Sequence, residues 1–396
     1  MIKRDIYLQK LIDFKDANLI KVVTGIRRCG KSTMFEMFQN YLKENGVSDQ
    51  QIIVINFEDL AFEELLNYKV LYKYIMERVV PDKKNYIFLD EIQVVDQFQK
   101  VVDSLYIQMN IDVYVTGSNA YLLSGEIATL LSGRYIEIAM MPLSFKEYIS
   151  AMPEQLDLQK KYARYLVDSS FPGALELKSS TKIREYLAGI YHTIVLKDVV
   201  TRKRIQDVAM LESVIRYMFD NVGNLCSFRK IAGAMTSEGR KISANTVEGY
   251  VQALVDSYVM YRVGRYDIKG KLYLTSGDKY YLSDIGLRNY LLGKKPMDMG
   301  HILENIVFLE LLRRGNEVYI GKMGTTEVDF ITNNENGIEY YQVSLSVRER
   351  ATLERELKPL NGVADHNPKY LLTMDEDPVV SYNGIKRINV LDWLLS

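Results

Sequence analysis

The first third of the chain alternates short apolar runs with helical stripes. Leu19-Ile20-Lys21-Val22-Val23 is one such run, and Met34-Phe35-Glu36-Met37-Phe38 begins a helical pattern after it. Tyr86-Ile87-Phe88-Leu89 and Asp112-Val113-Tyr114-Val115-Thr116 repeat the strand-like segment. Largely apolar runs of this length predict strands buried on both faces of a parallel sheet. Ile136-Glu137-Ile138-Ala139-Met140 alternates instead, which predicts a further strand with Arg134 at its start near the sheet edge, ending in a turn at Pro142. Residues from about 155 to 204 read as helix, with apolar positions at Tyr162, Tyr165 and Leu166, then Ile183, Tyr186, Leu187, Ile190 and Ile194. Three short helices follow, over 211–219, 227–232 and 243–251, with Ser227 and Ser243 as N-caps. Strands over 259–263 and 271–274 complete the order of a winged helix-turn-helix. The C-terminal part predicts a helix over 303–312 stopped at Gly315, then strands over 317–321, 327–331 and 338–343, with a turn at 333–337.

Composition narrows the class. A chain of 396 residues has room for two or three domains and a well-buried core. Hydrophobic residues at 47% and charged residues at 26% are ordinary for a globular protein, and a net charge of -1 gives no global attraction to nucleic acid or membrane. Any basic surface is therefore local. No apolar run approaches the ~20 residues of a membrane span, and the start Met1-Ile2-Lys3-Arg4-Asp5 is unlike a secretory signal, so a cytoplasmic protein with no membrane partner is expected. Cys29 and Cys226 make neither a disulfide framework nor a zinc cluster. His192, His301 and His366 are too scattered for a metal site and read as structural or surface residues.

The first segment with chemistry is Gly25-Ile26-Arg27-Arg28-Cys29-Gly30-Lys31-Ser32-Thr33, between the first strand and the first helical stripe. This is a P-loop, or Walker A motif, in its required setting. Glycines let backbone N–H groups turn inward around a phosphate, Lys31 reaches the β- and γ-phosphates of ATP, and the Ser32 hydroxyl ligates Mg²⁺. The helix beginning there adds the positive end of its dipole. Asp90 and Glu91 close the Tyr86–Leu89 strand as a Walker B pair, with Asp90 to hold Mg²⁺ through water and Glu91 as the general base that polarises the attacking water. The strand Asp112–Thr116 ends in Gly117-Ser118-Asn119, where Ser118 or Asn119 is the candidate that senses the γ-phosphate, a plain turn being the alternative. Arg134 has two readings: a finger reaching a neighbouring subunit's γ-phosphate, or an ordinary surface salt bridge.

These motifs, together with Leu131-Ser132-Gly133-Arg134-Tyr135, Pro142-Leu143-Ser144-Phe145-Lys146-Glu147-Tyr148, Phe171-Pro172-Gly173-Ala174 and Ile194-Val195-Leu196-Lys197-Asp198-Val199, resemble the prokaryotic AAA-type ATPases that carry a C-terminal nuclease-like domain. The resemblance spans nearly the whole chain. It implies an α/β fold: an AAA+-like P-loop core over 1–154, a helical lid over 155–204, a winged helix over 205–293 and a restriction-endonuclease-like domain over 294–396. It also makes Arg134 an arginine-finger candidate. The C-terminal order is similar to the PD-(D/E)xK nuclease core, with Asp329 in place of the first acid and Glu304 and Glu327 retained. The acid-x-lysine motif, however, reads Gln342-Val343-Ser344. An amide is a poorer Mg²⁺ ligand than a carboxylate, and serine has no charge to offer a pentavalent phosphate, so this domain is expected to be a degenerate nuclease. Glu339 falls on the strand face opposite Gln342.

Two function classes follow. One is an ATP-driven machine that assembles as a homo-oligomeric ring and remodels branched or recombining DNA, chosen by structure rather than base sequence. Between Lys178 and Lys241 there are twelve Lys and Arg against six Asp and Glu, a basic excess suited to phosphates. The other is a nucleotide-gated switch or defence-signalling ATPase that works through protein partners. A metal-dependent nuclease is a weaker third.

Overall fold

A computed structural model describes residues 2–118, 133–193, 199–203, 205–293 and 299–396. The chain divides into two compact units, one made of Met1–Pro142 with Phe171–Gly173 and Asp256–Tyr258, the other of Leu143–Ser170, Ala174–Val255 and Val259–Ser396.

The first unit begins with helix α1 (Asp5–Asp13) and is built on a five-stranded sheet. Strands β1 (Ile20–Thr24), β2 (Ile52–Asn56), β3 (Asn85–Asp90), β4 (Ile111–Thr116) and β5 (Tyr135–Ala139) lie in the order β2-β3-β4-β1-β5, every pair parallel. The apolar runs of β1, β3 and β4 are buried throughout, as their lack of alternation requires. Alternation still sorts them by face. Ile20, Val22, Ile87, Leu89, Val113 and Val115 belong to a core that includes Leu71 and Ile75 of helix α3 (Tyr68–Met76) and Val101, Val102 and Leu105 of helix α4 (Phe98–Tyr106). The other face carries Phe88 and Tyr114, stacked at 4.8 Å, and Phe35 of helix α2 (Lys31–Glu44) meets Phe88 edge-on at 5.1 Å. Asp90 and Thr116 follow Phe88 and Tyr114 by two residues, so they emerge on this same face beside the start of α2. Lys21 and Asp112 are on it too, as a fully buried pair 2.5 Å apart, steadied by a hydrogen bond from the Tyr114 hydroxyl.

The second unit holds an eight-stranded mixed sheet. In chain order its strands are β6 (Met260–Asp267), β7 (Leu272–Leu282), β8 (Glu317–Met323), β9 (Thr326–Asn334), β10 (Gly337–Ser344), β11 (Lys369–Thr373), β12 (Val380–Tyr382) and β13 (Ile385–Asn389). They lie in the order β12-β13-β11-β10-β9-β8-β6-β7. The helix Met299–Arg313 is apolar nearly all round and is buried along most of its length, with Phe308 stacked on Tyr281 of β7 at 4.5 Å. Before the sheet come the helices Val208–Asp220, Phe228–Ser237 and Ala244–Asp256. Ser227 caps the second and Ser243 the third through their hydroxyls. The hairpin of β6 and β7 is longer than its sequence pattern indicates, and β6 pairs in parallel with β8. The strands read from sequence as a wing and those read as a separate C-terminal domain therefore share one sheet.

Candidate nucleotide site

The loop between β1 and α2 has a shape that only glycine permits at its first position. Gly25 has φ +136, and a Cβ there would stand 2.0 Å from the Met140 carbonyl oxygen. Gly30, at φ +104, is the N-cap of α2, so the exposed N–H groups of the helix start face the loop. From the other side the loop is held by Arg4, a buried arginine that donates from Nη1 to the Cys29 carbonyl at 2.9 Å and from Nη2 to the Met141 carbonyl at 2.7 Å. Cys29 is fully buried, and burial pushes its thiol pKa up, which leaves it unreactive.

Lys31, 4% exposed, lies back across this loop. Its Nζ donates to the Gly25 carbonyl at 3.1 Å and stands 3.6 Å from Glu91 Oε1. Ser32 and Thr33 follow in the open first turn of α2, with the Ser32 hydroxyl on the side of Asp90, whose carboxyl pKa it helps hold down. Burial raises the Asp90 carboxyl above the usual aspartate range, against the lowering effect of hydrogen bonds from Ser32 and Thr116. Glu91 follows with φ +56, a left-handed conformation costly for a residue with a Cβ, and this turns its side chain toward Lys31 and Gln93. Arg27 pairs with Glu58, and Arg28 sits exposed at φ +66.

The residue that joins the two acids is Thr116. Its hydroxyl donates to Asp90 Oδ1 and accepts from the Glu91 N–H at 2.8 Å, with no exposure to solvent. Sequence reasoning placed the polar residue of this strand at Ser118 or Asn119. Among the described residues it is Thr116 that bonds to the acids; Ser118 is buried just beyond it, and Asn119 lies outside the described residues. Register, which only the folded sheet shows, makes the contact: Leu89 pairs with Val115, so the next residues, Asp90 and Thr116, are neighbours on adjacent parallel strands.

Arg134 is not in this cluster. Its carbonyl accepts from the Ile20 N–H at the start of β1, whereas the P-loop leaves the other end of that strand, about 16 Å away at ~3.3 Å per residue. Its guanidinium pairs with Asp103 and lies 5.7 Å from the Tyr106 ring centre, half exposed. That is the surface salt bridge of the second reading. A phosphate contact by Arg134 is possible only toward another molecule.

A loop turned by Gly25 and Gly30 at the start of a helix, a lysine across it, and two acids joined by a buried threonine at the C-terminal edge of a parallel sheet make a P-loop nucleotide site of the kind found in AAA domains. Residues 17–149 match the AAA domain family, and residues 159–298 match a domain of unknown function (DUF8612). An uncharacterized protein of Haemophilus influenzae is 40% identical over 401 residues, covering 100% of this chain and 99% of its own. An uncharacterized protein of Methanocaldococcus jannaschii is 32% identical over 382 residues, covering 90% of this chain and 80% of its own. The chain belongs to one family with these proteins. In structure it is similar to the Walker-type ATPase PABY2304 of Pyrococcus abyssi, with a TM-score of 0.51 at 14% identity, over 74% of this chain and 96% of the other. The match of residues 17–149 to the AAA domain family implies that the site binds nucleotide. Among the described residues no helix is long and apolar enough to cross a membrane.

Proposed function

We propose that this chain is an ATP-hydrolysing AAA+ motor that binds and remodels DNA. The hydrolytic part rests on one observation: Lys31, Asp90, Glu91 and Thr116 converge where α2 begins. The loop and Lys31 hold the β- and γ-phosphates. Ser32 and Asp90 are hard oxygen donors that suit Mg²⁺. Mg²⁺, when bound with ATP, neutralises charge on the phosphates. Glu91 accepts the proton of the attacking water, while Thr116 fixes the spacing between the two acids so that one binds and the other acts as base.

The DNA part rests on exposed basic residues. Arg229, Lys230, Arg240 and Lys241 are exposed on or beside the helix Phe228–Ser237, although Arg240 also donates to the Ala209 carbonyl. Point charges of this kind neutralise phosphates without reading bases, which suits selection by DNA shape. The position of Arg134, remote from its own P-loop, fits a finger that serves the neighbouring subunit of a ring. A nucleotide-gated switch acting through protein partners shares the phosphate site but does not require a base, so a well-placed Glu91 favours turnover.

The test is ATP turnover and nucleotide binding in three proteins. Wild type hydrolyses ATP, Glu91→Gln binds ATP but turns it over at least ~10²-fold more slowly, and Lys31→Ala loses both. Undiminished hydrolysis by Glu91→Gln would remove the assigned base.

A further inference from the structure

The C-terminal sheet contains a second cluster of charged residues, and at its centre is a lysine that the sequence motifs did not single out. Lys279 of β7, 6% exposed, places Nζ 2.7 Å from Glu327 Oε1 and 3.2 Å from Glu304 Oε1. Glu304, on the helix Met299–Arg313, is 8% exposed and also accepts from the Tyr281 hydroxyl on that same oxygen, with His301 Nδ1 standing 3.8 Å from its other one. Asp329, two residues from Glu327 and so on the same face of β9, accepts from the Val343 N–H at 2.8 Å. Gln342 is turned to Glu356, to which it donates at 2.9 Å, while its oxygen accepts from the Asp329 N–H at 3.3 Å. The backbone closes over this group: a Cβ on Gly223 would stand 3.2 Å from His301 Nδ1 and 3.6 Å from Glu304 Oε1.

These are the acids that the nuclease resemblance assigns to a divalent metal, and their arrangement does not fit one. A metal ion needs carboxylate oxygens free to point at a common centre. Here Glu304 Oε1 and Glu327 Oε1 both point at an ammonium at ion-pair distance, and Asp329 Oδ2 is taken by a backbone N–H. Among the described residues no group of three or more His, Cys, Asp or Glu could hold a metal ion.

We propose that the Lys279 ammonium is the built-in cation of this cluster, occupying the place a divalent metal would take, so that the pocket is closed to Mg²⁺ and Mn²⁺ as long as Lys279 is present. The lysine lost from the third strand is thus not restored for catalysis. The ammonium on β7 instead holds Glu304 and Glu327 together, joining the hairpin to the helix and to β9. Removing that charge while keeping the bulk should leave carboxylates facing one another, which is the condition for recruiting a cation.

The experiment is Mn²⁺ binding, followed by electron paramagnetic resonance without nucleotide, in the full chain carrying Asp90→Asn to silence the P-loop acid. With Lys279 intact, no Mn²⁺ site sensitive to Glu304→Gln is expected. Lys279→Met should raise Mn²⁺ affinity at least ~10-fold, and adding Glu304→Gln should abolish the gain, the scale expected for removing one group at a metal site. A Mn²⁺ site in the Lys279-intact protein that Glu304→Gln removes would overturn the proposal, and so would a folded Lys279→Met protein with no gain. The first comparison needs no Lys279 variant, so it decides the matter even if Lys279→Met does not fold.

Discussion

At the scale of single residues the site turns on a hydroxyl. Thr116 satisfies one oxygen of Asp90 and the N–H of Glu91 at once, in a fully buried place. Thr116→Val keeps the shape and removes both bonds, so kcat should fall about 10- to 100-fold with nucleotide affinity nearly unchanged, measured by steady-state turnover and nucleotide titration. Equal loss of binding and turnover would mean that Thr116 is merely structural. Asp90 has a stability signature of its own. Its carboxyl is raised by burial, so the folded protein holds that proton more tightly than the unfolded chain, and stability falls as pH rises from the ordinary aspartate value through the raised one. Without nucleotide, Asp90→Asn should therefore melt above wild type at neutral pH. The difference should shrink on acidification as wild-type Asp90 takes up its proton, and thermal melts from neutral pH down to the ordinary aspartate value check this.

At the scale of elements, four of the five strands of the first sheet and the P-loop were legible because each depends on residues adjacent in sequence, while β2 (Ile52–Asn56) went unread. The apolar runs of β1, β3 and β4 specify buried strands, and the loop glycines specify a turn with inward N–H groups. What sequence did not reveal depends on register between distant strands. Thr116 reaches Asp90 only because β3 and β4 pair in parallel, and Lys279 meets Glu304 and Glu327 only once β7, a helix and β9 are assembled. The sharing of one sheet by β6 and β8 was hidden for the same reason, since nothing local in either strand names its partner. Among the described glycines the closest approach is at Gly25, set against the Met140 carbonyl just past β5. Gly25→Ala meets both a forbidden φ and a backbone oxygen, and should cost about 2–4 kcal/mol by chemical denaturation, well beyond the ~1 kcal/mol of an ordinary Gly-to-Ala change. A change near zero would mean that the loop is free to rearrange.

At the scale of the whole molecule the account requires more than one chain. Arg134 stands about 16 Å of strand away from its own P-loop at ~3.3 Å per residue, so its only use in catalysis is toward a neighbour. Specific activity should rise with protein concentration, and Arg134→Ala should bind nucleotide normally yet lose about 10³-fold in turnover at every concentration. If Arg134→Ala turns over as wild type does, Arg134 is no more than the partner of Asp103. The central claim, that hydrolysis is coupled to DNA, has one direct measurement: ATP hydrolysis at fixed low salt with no DNA, single strands, duplex and a four-way junction, using Lys31→Ala as the blank. The account predicts stimulation graded by DNA structure, with branched DNA the strongest. Hydrolysis indifferent to every DNA would contradict it and leave the nucleotide-gated switch as the reading of the site.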